Sequence, residues 1–393
     1  MSPSPAAVAA PTEAPSRHTS LDLIRGVAVM GILVMNAVSF GLIDAAYDNI
    51  SADGMTTWLD WAIGVAGEVF VDQKFMGLFS ALFGAGIVLY ADRAEAKGQR
   101  AIVMSLWRNV LLLAIGFLHY QLWAGDVLTT YALAAPLLLL LRRLQPRMLY
   151  LSGFLIMMLS PVLAAWAQST VDTNGTDFGS FREDLFYIVD PFARAIAMML
   201  IGVGLYRTGI FTGDRSPSFY RRLSVWGLGV GMPLSALGVV YVAANDFSPD
   251  VALVGSIPNT LATIPMVLGY IGLIVLWDAR PQTFLVVRLR AAGRMALTNY
   301  LTQSMIGVAI LTVLLADVDL TRSMIAVFAV GVWALQIWWS KAWLDRYRFG
   351  PAEWLWRSAT NLSLQPLRQR TQETRPVDCS VANRSAPTDP GRH

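Results

Sequence analysis

His119 is the one histidine that falls inside an apolar stretch, since His18 and His393 stand in the polar ends of the chain. It sits in the run Gly116-Phe117-Leu118-His119-Tyr120, and after a short loop comes Gly125-Asp126. An imidazole oriented by a carboxylate is a general base near neutral pH. A His119–Asp126 pair is therefore the first candidate for chemistry. The bland reading of the same pair is a polar tie between two helix ends. An ionisable residue inside a membrane span points first to function.

A second group opens the first apolar stretch, Leu21-Asp22-Leu23-Ile24-Arg25-Gly26. Asp22 and Arg25 are three apart and share a helix face. Arginine makes bidentate contacts to phosphate, so the pair reads either as an anion clamp or as a helix-start acid beside a positive anchor. Glu68, Asp72, Lys74, Asp190 and Arg194 form a third group beside two short apolar stretches. They read as interfacial ion pairs, or as the lining of a wet cavity shared with His119 and Asp126.

The fourth group begins at Gly293-Arg294 and runs through Thr298, Asn299, Tyr300, Gln303 and Ser304. Such polar side chains are costly in lipid and should face other helices. The chain then reaches Gly350-Pro351-Ala352-Glu353-Trp354-Leu355-Trp356-Arg357. This reads as a short amphipathic segment docked at the inner surface, with Trp354 and Trp356 as anchors. Small residues also recur at Gly77, Ala81 and Ala85, and at Ser80 and Gly84, which lets helices approach closely in lipid.

The elements that must position these residues are membrane helices. The chain of 393 residues is 55% hydrophobic and only 15% charged, well below the roughly 25% charged residues of soluble domains. Its apolar residues fall in blocks, approximately 23–43, 75–91, 107–122, 127–141, 148–168, 192–206, 223–244, 256–277, 295–316 and 323–341. The blocks at 75–91, 127–141 and 192–206 are short for a hydrocarbon core of about 30 Å. Segment 51–71, rich in Trp and Asp, reads as lying along the outer surface. The expected fold is an all-α polytopic bundle of about ten transmembrane helices.

Orientation follows from the Lys/Arg bias. With the N-terminus inside, Lys74, Arg182, Arg194 and Arg322 fall outside and the other Lys and Arg inside. Both termini are then cytoplasmic, in a multi-pass protein of the cell (inner or plasma) membrane. Residues 1–20 and 359–393 read as disordered cytoplasmic tails flanking a helical domain at 21–358. The lone Cys379 excludes an internal disulfide and a cysteine-based metal site, and no metal is expected. No basic stripe with interleaved aromatics points to nucleic acid. Walker, dinucleotide, zincin and nucleophile-elbow motifs are all absent.

With these residues in view, the chain resembles the family catalogued as domain of unknown function 418, the YeiB-like membrane proteins. The likeness spans roughly residues 18–360, with the family-type C-terminal half at about 205–358. It rests on the Leu-Asp-x-x-Arg-Gly opening, the Phe79–Gly86 stretch and the Gly116/His119/Gly125/Asp126 group. The stretch from Gly293 to Tyr300 and the closing Gly350-Pro351-x-Glu353-Trp354-x-x-Arg357 complete it.

The opening is also similar to transmembrane acyltransferases, the acyltransferase family 3 and heparan glucosaminide acetyltransferase types. The former carries a catalytic His after ten residues from an Arg; here that count from Arg25 lands on Asn36. Asn can donate a hydrogen bond but cannot be a general base. The resemblance thus implies acyl transfer with His119 as base, Asp126 orienting it and Asn36 holding the carbonyl. Asp22, Arg25 and Arg294 would bind the donor. The implied donor is acyl-CoA or a similar cosubstrate, with no bound cofactor. The acceptor would be a small molecule or lipid-linked group among the membrane lipids, in an oligomer of open size. Transport or export of a small molecule is the alternative reading, and a non-catalytic membrane protein the third.

Overall fold

The computed structural model describes residues 19–169 and 181–369. Among them every regular element is a helix, and the only pairing outside helices is an isolated bridge between Tyr347 and Arg368. The chain begins with α1 (Thr19–Gly41), a short α2 (Ala45–Asp48) and α3 (Trp58–Phe70). Next come α4 (Lys74–Ala96), α5 (Ala101–Tyr120) and α6 (Leu128–Leu141). The pair α7 (Pro146–Met157) and α8 (Leu159–Gln168) is interrupted at Met158. Then follow α9 (Phe181–Arg207), α10 (Pro217–Ala244), α11 (Pro249–Asp278) and α12 (Phe284–Arg294). Last are α13 (Ala296–Gly307), α14 (Arg322–Leu344) and α15 (Pro351–Thr360). A π-helical turn, Val308–Leu314, extends α13.

Lipid offers no partners to backbone N–H and C=O groups, so a spanning segment must satisfy them internally. Nine helical stretches among the described residues are long and apolar enough to cross a membrane, and Leu128–Leu141 is a shorter apolar one. The protein is an all-α polytopic bundle. Helix starts are written locally. Ser216 and Ser248 accept from Phe219 N–H and Asp250 N–H at the starts of α10 and α11, each with Pro in the first turn. Thr57 and Asp60 close a capping box on α3.

Three expectations change. The stretches at 75–91 and 192–206 are not short: α4 has 23 residues and α9 has 27. α4 runs on through Asp92, Arg93 and Glu95, and α9 begins at Phe181, ahead of Asp190; Lys74, at the start of α4, is held by polar partners, and Arg194 pairs with Asp190 in its own helix. Segment 51–71 contains α3, which with α4 forms one apolar stretch, Trp58–Ala96, broken at residues 71–73. Residues 359–369 belong to the fold rather than to a tail. Arg348 N–H donates to Leu367 O at 2.8 Å and Trp354 Nε1 to Gln365 O at 2.7 Å. Thr19 and Ser20 are likewise part of α1, while 1–18 and 370–393 lie outside the described residues.

Thr19 marks the near end of the bundle and Gly41 the far end. Several helix crossings are backbone to backbone. A methyl on Gly202 of α9 would stand 1.9 Å from Ala81 O, and one on Gly84 of α4 would stand 2.3 Å from Met199 O. The small residues of α4 thus serve close packing, as their spacing predicts. A second such crossing joins α1 and α12 at Gly26 and Gly293.

Candidate functional site

His119 lies in the last turn of α5 and Asp126 in the turn before α6. Their side chains meet, His119 Nδ1 to Asp126 Oδ1, at 2.8 Å, and both residues are buried. Asp126 Oδ2 accepts from Thr129 N–H at 2.8 Å, so the same carboxylate caps α6 and fixes the imidazole. An ionised carboxylate only accepts, so against one a neutral imidazole carries its proton on Nδ1 and its lone pair on Nε2. That Nε2 is buried and has no hydrogen-bond partner. Gly116 permits the approach, because a methyl there would stand 2.7 Å from Thr129 N.

Aromatic rings frame the imidazole. Tyr300 of α13 packs 5.1 Å from it, and Trp123 meets it edge-on at 6.2 Å. Trp123 Nε1 donates to Ser39 Oγ at 3.1 Å, which ties the dyad to the far half of α1. Asn36, half-buried, is one turn from Ser39 on that helix and so lies near the same level. Tyr300's hydroxyl accepts from Val127 N–H at 3.3 Å.

At the near end, Arg25 Nη1 donates to Asp22 Oδ1 at 3.2 Å, and the Arg25 side chain keeps partial exposure. Arg108 of α5 stacks over Trp356 at 3.8 Å and over Tyr90 at 4.6 Å, with the charges of Arg357 and Arg25 close by. Arg357 stacks over Phe349 at 4.6 Å. Arg294 donates to Arg348 O at 3.4 Å, at the edge of this basic surface. Trp354 and Trp356 read as membrane anchors, yet both bond within the protein; Trp356 Nε1 donates to Arg108 O at 3.0 Å.

Glu353, following Gly350 and Pro351 at the start of α15, reaches the first turn of α13. It accepts from Leu297 N–H at 2.8 Å, Thr298 N–H at 3.1 Å and Thr298 Oγ1 at 2.6 Å. Burial raises its carboxyl above the ordinary glutamate value, and the bonds from Thr298 draw it back down.

Between the two ends runs a buried amide network. Asn299 donates to Ala292 O at 3.1 Å and accepts from Trp339 Nε1 at 2.8 Å. Gln303 donates to Val29 O at 3.1 Å and to Gln336 Oε1 at 2.8 Å, and Gln336 returns to Asn299 O at 2.9 Å. These polar side chains face other helices, as their cost in lipid demands.

The third group gathers at the far end. Glu68, Asp72, Asp190 and Arg194 line a cavity of about 320 Å³, and Lys74 lies buried beside it. His119 and Asp126 are not on this wall. Met76 lines the cavity; one turn on, Ser80 Oγ bonds Tyr131's hydroxyl at 2.8 Å, and Phe79 stacks on Tyr131 and Tyr300. An aromatic layer therefore stands between cavity and dyad.

Sequence reasoning passed over Asp48, Ser235, Asn259 and Arg322. Asn259 accepts from Lys74 Nζ and donates to Asp72 Oδ2 at 2.7 Å. A trace of it was available, since Asn259 and Thr260 interrupt an apolar span just after Pro258. Arg322, read as an outside positive, is buried with Nη2 donating to Ala46 O at 2.7 Å. Among the described residues no three His, Cys, Asp or Glu side chains converge as metal ligands.

Residues 205–363 match the family model described as "Protein of unknown function (DUF418)". The chain is 31% identical to the uncharacterized protein YeiB of Escherichia coli (strain K12), covering 90% of this chain and 99% of that protein. It is 28% identical to the uncharacterized protein YxaH of Bacillus subtilis (strain 168), over 92% and 98% of the two chains. An uncharacterized 39.9 kDa protein from the amylase 3' region of Bacillus acidopullulyticus is 26% identical, over 88% and 94%. No solved structure matches the chain.

Proposed function

The chain belongs to the DUF418 family, that of YeiB, and on that premise we propose that it is a membrane-embedded acyltransferase. The observation that carries this reading is the buried His119–Asp126 pair, with Nδ1 bound at 2.8 Å and Nε2 free. A buried base with its lone pair unengaged, its tautomer set by a carboxylate, is the arrangement that draws a proton from an attacking hydroxyl or amine. The acceptor oxygen or nitrogen attacks the acyl carbonyl carbon, its proton passes to Nε2, and the thiolate of a thioester donor leaves. Asn36 steadies the carbonyl oxygen.

The near-end arginines supply the donor site in this reading. Arg25 and Arg294, on the Arg108–Arg357 surface, would hold the phosphates of an acyl-CoA-like cosubstrate. The near end is then cytoplasmic, consistent with the Lys/Arg bias of the loops. The acceptor reaches His119 from the far half of the bilayer.

Mass profiling of lipids and small metabolites tests the proposal, comparing cells with the gene, without it, and with His119→Ala. A species differing by one acyl mass should vanish in both latter arms. Retention of that species with His119→Ala, in a variant shown to be inserted and stable, would remove His119 from the mechanism.

A second reading, transport of a small molecule, is favoured by a different observation. The far-end cavity lies where α3 and α4 break at residues 71–73, and α9, α10 and α11 carry internal Pro191, Pro233 and Pro258. A broken helix beside a polar cavity is a feature of transporter sites. An unchanged acyl profile, with a compound redistributed between cells and medium, would support it.

A further inference from the structure

The far-end cavity is built to hold something other than the dyad's substrate chemistry requires. Its wall carries the carboxylates of Asp48, Glu68, Asp72 and Asp190, against the guanidinium of Arg194. The ammonium of Lys74 lies buried behind them. That ammonium is already engaged, donating to Glu68 O, Asn259 Oδ1 and, at 2.8 Å, Ser235 Oγ. Asn259 passes the contact on to Asp72 Oδ2. Arg194 is held by an ion pair, its Nε 2.7 Å from Asp190 Oδ2, but that Nε, like Asp190 Oδ1, has no hydrogen-bond partner.

Four carboxylates, of Asp48, Glu68, Asp72 and Asp190, thus stand against three cations, Lys74, Arg194 and Arg322, the last of which acts on Glu68. Asp190 is only 2% exposed, yet its Oδ1 has no hydrogen-bond partner. A buried carboxylate oxygen left without a donor is costly unless something else completes it. Asp48 lines the cavity and is exposed.

The rest of the wall is aromatic. Tyr47, Tyr187 and Phe247 line it together with Phe186. Phe247 is placed there by an uncommon backbone. Asp246 and Phe247 hold consecutive positive φ values of 53° and 54°, and Asn49 Nδ2 donates to Phe247 O at 3.1 Å. Two adjacent non-glycine residues in that region are held only where the surroundings enforce it. The Phe247 ring then packs 5.5 Å from Trp61.

From this juxtaposition we infer that the cavity binds a small organic cation, a protonated amine on an apolar or aromatic body. The ammonium hydrogens bond the carboxylates of Asp48 and Asp190, and the aromatic faces hold the positive charge and its apolar carrier. A bare metal ion suits it less, because the carboxylates do not converge as ligands among the described residues. The site stands apart from acyl transfer and from flux, since it is a statement about equilibrium binding.

The test is calorimetric titration of the full-length protein in lipid nanodiscs with three compounds of one shape. They are 2-phenylethylamine, the neutral 2-phenylethanol and the anionic 3-phenylpropanoate. The amine should bind and the other two should bind at least tenfold more weakly. Asp190→Asn should weaken the amine by roughly tenfold or more, the scale of losing a charged hydrogen bond. Because that change leaves Arg194 without its partner, Asp48→Asn is the companion variant; it breaks no ion pair and should weaken the amine similarly. Binding of the anion as tightly as the amine, absence of amine binding at millimolar concentration, or amine affinity unchanged in both variants overturns the site. His119→Ala should leave amine binding intact, so failure of the transferase reading and failure of this one are separate results.

Discussion

Glu353 and Thr298 are joined by a 2.6 Å hydrogen bond that docks α15 onto the first turn of α13. The two N–H groups of that turn, on Leu297 and Thr298, have no partners within the helix and find them in the same carboxylate. The closing motif of the chain is thus a cap delivered from a distance. A methyl on Gly350 would stand 2.2 Å from Glu353 Oε2 and 2.7 Å from Thr298 Oγ1, which explains the glycine.

Removing that cap should destabilise the protein measurably. Glu353→Ala should cost about 1–2 kcal/mol, read as a lower unfolding temperature of purified protein, while Glu353→Gln keeps an acceptor and loses less. The pH dependence has a definite sign. The folded-state carboxyl is raised above the ordinary 4.5, so its contribution is fullest below pH 4.5 and is lost as pH rises through the folded value. Stability of Glu353→Gln should therefore fall less than wild type over that rise. An identical pH profile in the two proteins would show that Glu353 is not titrating in the fold.

Gly26 and Gly293 make a second motif explicable. A methyl on Gly26 would lie 2.0 Å from Leu289 O, and one on Gly293 would lie 1.9 Å from Asp22 O. Both obstacles are backbone atoms, which cannot rotate away. Either Gly→Ala change should force α1 and α12 apart at a cost of roughly 1–3 kcal/mol, the usual scale of overpacking. By contrast Gly86, with nothing near its added methyl, should accept Ala without loss. Equal melting temperatures for the Gly26→Ala and Gly86→Ala proteins would contradict the packing argument.

Asp126 separates a catalytic from a merely structural histidine. Asp126→Asn keeps the shape and retains a group to cap α6, but an amide can present its N–H to Nδ1 and reverse the tautomer. If His119 is the base, turnover should fall by about 10²–10⁴ with little change in KM. A structural tie predicts a lower melting temperature with turnover, where measured, in proportion to folded protein.

The His119–Asp126 contact was legible because it is local: seven residues and one tight turn separate the partners. The apolar blocks were legible for the same kind of reason, since lipid imposes its demand segment by segment. Helix ends were misjudged where charged residues continue the helix, as at Asp92, Arg93 and Glu95 of α4 and at Asp190 of α9. A sequence window shows Asp190 four residues before Arg194, but not the Ser235 and Asn259 that accept from Lys74. The cavity was half visible. Its acids stand beside short apolar runs, but Asn259 comes from 185 residues beyond Lys74, and only packing brings the two together. The internal bonds of Trp354 and Trp356 were not legible, because an indole N–H at a helix end bonds a nearby carbonyl as readily as a headgroup.

Orientation can be read with a single reagent, because Cys379 is the one cysteine in the chain and belongs to the polar C-terminal region. If the near end is cytoplasmic, a membrane-impermeant maleimide should leave Cys379 unlabelled while the cell membrane is intact and label it after permeabilisation. The reciprocal probe is Ala52→Cys in a Cys379→Ser background. Ala52 is exposed in the loop between α2 and α3, at the far end, and should label in intact cells. The charge argument gives the same answer by a separate route, since the loops rich in Lys and Arg join helices at the near end. Labelling of Cys379 in intact cells would invert the bundle, and would put the arginine surface of Arg25, Arg108 and Arg357 on the side where a cytoplasmic acyl donor cannot reach it.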